Sequence, residues 1–374
     1  MVAHFFAAAA YAPVLNQRRI RWLVICCMAA ALLVIVTASS RRVLVFDDEA
    51  LAAARAMRDG LTSIGELRRR LNIPLDPALD PAGSGIIGVD YSDLTTTLGD
   101  LRAKQTSVNP QFAALIVTWL REAGVQTGDR VALSMTGSFP ALNMAALYAC
   151  ATLRLDPVII SSVGASSYGA NIANFTWLDM ERHLHAEGRI PWLSQYVSLG
   201  GIVETEGGLD GTGLVLGEAA VARHGARYLR EHGPHDLVKD IDRRQLVYFA
   251  AGPPKAFISV GGAITSLGWV AEAALLGNGL LTSMPRSNSP KRGIIFRMVE
   301  AGVPVINLLN IERLAAEHHL QSAPTMIDPA LDRASARRTY YLLLATVLFT
   351  WFGVAAGLAW AHSRRLVGRP GAAQ

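Results

Sequence analysis

Residues 128–171, GDRVALSMTGSFPALNMAALYACATLRLDPVIISSVGASSYGAN, constrain the fold more than any other stretch of the chain. Gly128-Asp129 is a turn signal, and residues 131–135 after it form an apolar, β-branched run. A loop of small residues follows, Thr136-Gly137-Ser138-Phe139, closed by Pro140. The next residues are strong helix formers in which Leu142, Ala145, Ala146, Ala149 and Leu153 recur at three- and four-residue steps. Arg154-Leu155-Asp156 then turns the chain into a second apolar run, residues 157–161, which ends in a loop rich in Ser and Gly. Strand, loop, helix, strand, loop within one sheet makes a right-handed parallel crossover. Such sheets bind ligands at the carboxyl ends of their strands, so both polar loops are expected on one edge, and function is expected there.

The rest of the chain extends this pattern. Asp47-Asp48-Glu49 opens a helix over residues 50–58, and a second helix over 63–71 stops at Ile73-Pro74, with a proline-rich spacer to Pro81. A short strand at 86–89 leads into the hydroxyl-dense segment 90–99, which reads as an Asx or Ser/Thr turn with a helix cap, or as part of a site. Asn109-Pro110 starts a helix whose apolar face is Phe112, Leu115, Ile116, Trp119 and Leu120, and Gly124 ends it. After the glycine-rich stretch 199–217 come a helix at 218–231, a strand at 257–260 with Gly261-Gly262, helices at 264–276 and 293–301, and a buried strand at 303–308. Alternating strands and helices predict an α/β fold, with a mainly parallel sheet and flanking helices.

Two stretches are expected to cross a membrane. Residues 20–38 carry Arg21 as their only charge and residues 340–361 carry none, and each is long enough for a hydrocarbon core of roughly 30 Å. The first exceeds the ~7–15-residue apolar region of a signal peptide. Arg18, Arg19 and Arg21 precede it and Arg364, Arg365 and Arg369 follow the second, which places the termini in the cytoplasm and predicts a two-span inner-membrane protein with its large domain outside. The expected division is a tail at 1–19, a span at 20–38, a helical linker at 39–84, the α/β domain at 85–332, a basic juxtamembrane segment at 333–339, a span at 340–361 and a tail at 362–374. Much of the net charge of +5 lies beside these spans, where membrane lipid is the expected partner, and no basic run is interleaved with aromatics, so nucleic acid is not. Cys150 is the only thiol in the domain, since Cys26 and Cys27 lie in the first span.

Each candidate site residue has a bland reading beside the chemical one. Ser138 follows a strand as a nucleophile would, but G-x-S-x-G is absent and a serine before Pro140 also caps a helix. Gly261-Gly262 lacks the spacing of a dinucleotide fingerprint. His183 and His185 lie near Asp179 and Glu181, yet an i, i+2 spacing does not put two ligands on one helix face; no metal or cofactor is expected. Lys104 is one of four lysines in an arginine-rich chain, either a solvated surface residue or a compact point charge. Lys104, Thr95, Thr96, Thr97, Ser138, Asn143, Ser161, Ser166 and Asn171 are expected to converge on one face as a carboxylate site.

Several of these segments also carry a resemblance. Gly88-Val89-Asp90-Tyr91-Ser92 with Thr95-Thr96-Thr97-Leu98-Gly99, Ala103-Lys104 with Thr106 and Asn109-Pro110, Gly137-Ser138-Phe139-Pro140-Ala141-Leu142-Asn143, Ser161-Ser162-Val163-Gly164-Ala165-Ser166 with Gly169-Ala170-Asn171, and Thr176-Trp177-Leu178-Asp179-Met180-Glu181 resemble the poly-γ-glutamate system protein family. The resemblance implies a role in making, exporting or anchoring that polymer, beside its ligase and membrane subunit. The ligand would be poly-γ-glutamate or another carboxylate. Two other roles stay open: an enzyme that cuts or transfers γ-glutamyl chains, with Ser138 or another loop hydroxyl as nucleophile and Lys104 as the other catalytic candidate, and a scaffold for the synthase.

Overall fold

Asp47 begins the first helix, α1 (Asp48–Arg70), by accepting a hydrogen bond from the Ala50 amide at 2.8 Å. Acidic Asp48 and Glu49 sit at its positive end and Arg68, Arg69 and Arg70 at its negative end. The helix is continuous where the sequence suggested two. Gly60 lets it lie against Tyr148, whose hydroxyl would be 2.1 Å from a Cβ at that position. Ala50, Ala53, Ala54, Met57, Leu61 and Ile64 form its buried stripe, so the expected linker supplies core. The structure, a computed structural model, describes residues 46–200, 209, 211–229 and 237–327, with isolated positions between 344 and 357. All elements named below belong to the compact unit Leu44–Leu331; the chain's other unit is Met1–Val43 with Asp332–Gln374.

In chain order, strand β1 (Thr95–Thr97) and helices α2 (Leu101–Ser107) and α3 (Gln111–Glu122) lead into the crossover, β2 (Arg130–Met135), α4 (Pro140–Leu153) and β3 (Asp156–Ser162). Three short strands follow, β4 (Ala165–Ser166), β5 (Asn171–Ile172) and β6 (Phe175–Thr176), then α5 (Trp177–Ala186), β7 (Tyr196–Ser198), α6 (Gly211–His224) and β8 (Arg227–Tyr228). The remainder is α7 (Leu237–Tyr248), β9 (Ala256–Val260), α8 (Ile264–Leu267), α9 (Val270–Ala273), β10 (Gly279–Leu281), α10 (Ile294–Glu300), β11 (Val305–Leu308) and α11 (Ile311–Glu317). Three expectations fail locally, the first being the helix at 218–231, which instead runs Gly211–His224 and is followed by β8. The single helix at 264–276 is broken into α8 and α9 by Gly268, whose φ of 91° cannot continue a helix. Residues 86–89 form no strand: Val89 pairs with the Asn171 side chain, and Gly88 and Val89 bond to the Tyr168 backbone rather than to a strand.

Among the described residues the main sheet has seven strands in the order β10-β11-β9-β2-β3-β7-β8, parallel except for the antiparallel edge strand β10. Leu133 of β2 stands opposite Ile159 of β3 and Ile258 of β9. Side chains alternate between two cores. Val131, Leu133 and Met135 join α1, α3 and α4 in one, while Ala132 joins α7 and α10 in the other. From β2 the chain steps outward through β3, β7 and β8, then returns to lay β9 on the other side of β2. The strand order therefore reverses between β2 and β9, where an open α/β sheet leaves a crevice at its carboxyl edge.

This architecture corrects the expected one. The sheet is mixed, and among the described residues no helix is long and apolar enough to cross a membrane. That finding overturns the α/β domain set between two membrane helices, and with it the two-span inner-membrane placement. Crossing requires one continuous apolar helix of about 30 Å, and none of the described helices supplies it. Helix α1, with 23 residues, has the length, but Arg55, Arg58, Asp59 and Glu66 lie within it. Residues 20–38 lie outside the described residues, and of 340–361 only isolated positions are described.

Candidate functional site

Four parallel strands end at one cavity of about 680 Å3. The loop after β2 contributes Thr136, Ser138 and Phe139, and the end of β3 and its loop contribute Ser162 and Gly164. Gly262 and Ala263 follow β9, and Leu309 and Asn310 follow β11. The β1 segment and α2 close the remaining side, with Thr96, Thr97, Asp100 and Lys104. The cavity therefore straddles the reversal between β2 and β9.

Lys104 is the central group. Asp100 caps α2 by accepting from the Ala103 amide at 2.8 Å, and this short helix carries Lys104 inward until it is only 2% exposed. Its ammonium donates to Ser166 Oγ at 2.7 Å and to the Ser138 carbonyl, and it lies 3.6 Å from the centre of the Phe139 ring. Among the described residues no carboxylate lies within ion-pair distance of it. Burial pulls its pKa down from the ordinary 10.5 to about 7, and Asp100 opposes that shift from a distance. The other carboxylate in the wall, Glu312, lies 2.7 Å from Arg102 Nε.

Tight backbone contact holds the loops around the lysine. A Cβ on Gly137 would lie 2.4 Å from the Val163 carbonyl, so only glycine permits the two loops to meet, and the Ala170 amide donates to the Gly137 carbonyl at 2.7 Å. Ser138 Oγ accepts from the Ser166 amide at 3.0 Å, which ties the β2 loop to β4. It does not cap α4. The N-cap is Phe139, with no side-chain cap, and Pro140 occupies the first turn.

Of the residues expected to converge, Lys104, Thr96, Thr97, Ser138 and Ser166 line the cavity. Parallel pairing of β1 with β4 sets Thr97 opposite Ser166 and places the threonines in the wall. Thr95 does not reach it; its hydroxyl accepts from the Ser92 amide and from Asn171 Nδ2, both at 2.9 Å. Asn171 accepts from the Val89 amide at 3.0 Å and donates to the Val89 carbonyl at 2.8 Å, acting as a strand partner for residue 89. Asn143 donates to the Thr136 carbonyl at 2.8 Å and braces the loop from behind. Ser161 lies outside this cavity. Its hydroxyl meets Ser194 Oγ at 2.7 Å and the Trp177 indole at 3.2 Å, in a buried chain that continues from Ser194 to Glu181 and from Glu181 to His224 Nε2 at 2.8 Å.

Sequence reasoning passed over Thr136 and Ser162. Ser162 takes the place assigned to Ser161 because consecutive strand residues face opposite ways. Thr136 is the first residue beyond β2, 4% exposed, and its hydroxyl has no hydrogen-bond partner among the described residues. The residues weighed for a metal are engaged elsewhere: Asp179 binds Arg223 at 3.0 Å and completes the capping box of α5, and His183 meets Ser63 at 2.9 Å.

Fold and site together define a doubly wound α/β protein with a crevice at its topological switch point. No family model, curated protein or solved structure matches the chain.

Proposed function

We propose that the crevice binds a carboxylate-bearing chain of the γ-glutamyl type that the sequence resemblance implies, and that the protein serves the synthesis or export of that polymer. One observation carries the reading: a lysine buried to 2% exposure lines a cavity and lacks a carboxylate partner among the described residues. Burying an unpaired ammonium is unfavourable, and a ligand carboxylate would offset that cost by supplying the missing charge. The two carboxylates in the wall do not compete strongly, since Asp100 is engaged as a helix cap and Glu312 faces Arg102. Hydroxyls of Thr97 and Thr136 supply neutral donors in the same wall, while those of Thr96 and Ser162 donate to the Ala165 and Met135 carbonyls. A volume of about 680 Å3 falls within the usual range for small-ligand pockets, which suits a short segment of chain.

Calorimetric titration with tri-γ-glutamate tests this. Binding is expected below pH 7, weakening with salt and falling by up to about tenfold per pH unit above 7 as Lys104 loses its proton. Lys104→Met should abolish it. Undiminished binding by that variant refutes the reading.

A further inference from the structure

We infer that Ser166 is a nucleophile with Lys104 as its general base, so that the crevice cleaves or transfers the amide-linked chain it binds; the choice of substrate rests on the reading above. Ser166 Oγ and Lys104 Nζ are 2.7 Å apart, which is direct proton-transfer distance. Both side chains line the cavity and are almost fully buried, at 6% and 2% exposure. Ser138, the serine singled out in the sequence, has a different part: its hydroxyl receives the Ser166 amide and its carbonyl receives Lys104, so it positions both partners.

A lysine acts as a base only when neutral. Burial provides this by bringing its pKa to about 7, close to the working range of a general base. The charged groups sharing the cavity are Asp100, one turn earlier on α2, and Glu312 on α11 beside Arg102. Thr136, with its hydroxyl buried and unpartnered among the described residues, is the available donor to an oxyanion.

The reaction balances without a cofactor. Ser166 Oγ bonds to the amide carbonyl carbon while its proton passes to Lys104 Nζ. The C–N bond then breaks, and Lys104 returns that proton to the departing amine, leaving an ester on Ser166. Water attacks the ester and gives a proton to Lys104; the Ser166 C–O bond breaks, and the proton returns to Ser166. The carboxylic acid released gives its proton to Lys104, so a carboxylate lies beside an ammonium and the carboxylate complex proposed above is the product state of this reaction.

The test uses the full-length chain with a fluorophosphonate probe and peptide mapping by mass spectrometry. One adduct is expected, on Ser166, in which an O–P bond forms and fluoride leaves, with a rate that rises between pH 6 and pH 8. Ser166→Ala should take no label, and Lys104→Met should label at least about 100-fold more slowly. Wild-type protein that stays unlabelled, labels on Ser138, or labels with no dependence on pH overturns the dyad. Tri-γ-glutamate titrated into Ser166→Ala separates the two proposals. Binding without wild-type labelling leaves the carboxylate site and removes the dyad, whereas labelling without binding removes the γ-glutamyl substrate and keeps the dyad.

Discussion

Replacing Lys104 by methionine should change how stability depends on pH, by an amount that follows from its burial. The unfolded chain binds this proton up to the ordinary lysine value of 10.5, whereas the folded chain releases it near pH 7. Between those values the unfolded state holds more protons, so stability rises with pH across the window; below it both states are protonated and the penalty is complete. Linkage puts that penalty at about 4 kcal/mol at pH 7, partly offset by hydrogen bonds to Ser166 and the Ser138 carbonyl worth roughly 1 kcal/mol each. Methionine has similar length, fills the space and cannot ionise. Urea unfolding of both proteins, followed from pH 6.5 to 9.5, should show the variant's advantage shrinking by about 3 kcal/mol as pH rises. Taking the difference between the two proteins cancels every other titrating group. A difference that is flat with pH would mean that Lys104 keeps an ordinary pKa, and both the anion site and the base role would lose their footing.

Two further changes probe the frame that holds the site. Asn171→Ala removes the side chain that pairs both backbone groups of Val89 and leaves Thr95 without that donor, so thermal melts should show a loss of about 3 kcal/mol; a melting temperature within a degree of wild type would refute the bracing role. Gly137→Ala drives a methyl against the Val163 carbonyl, which is backbone and cannot swing aside, and should cost about 1–3 kcal/mol while weakening tri-γ-glutamate binding. Wild-type affinity in that variant would show that the contact between the two loops does not shape the crevice.

Local chemistry is what the sequence by itself determined. Apolar β-branched runs, helix formers at three- and four-residue steps and the turn at Gly128-Asp129 specify β2, α4 and β3 because strand and helix periodicities act over neighbouring residues. The same reasoning marks both loops at the strand ends, since two parallel strands joined by one helix must end on one edge. Other features depended on chain segments far apart. Nothing near Lys104 in sequence announces its burial; the Ser138 carbonyl, the Phe139 ring and Ser166 surround it only after α2 packs across the sheet edge. Helices expected separately at 50–58 and 63–71 join into α1, and Gly60 between them leaves the space that Tyr148 fills. Ser161 and Ser162 are chemically identical, and only the register of β3 in the sheet sends one into the interior and the other to the cavity. The membrane spans expected from composition find no counterpart among the described helices, and the stretches that suggested them lie almost wholly outside the described residues. The crevice itself exists because the chain, after β8, returns across the sheet to place β9 beside β2, a choice made by packing two cores at once rather than by any local pattern.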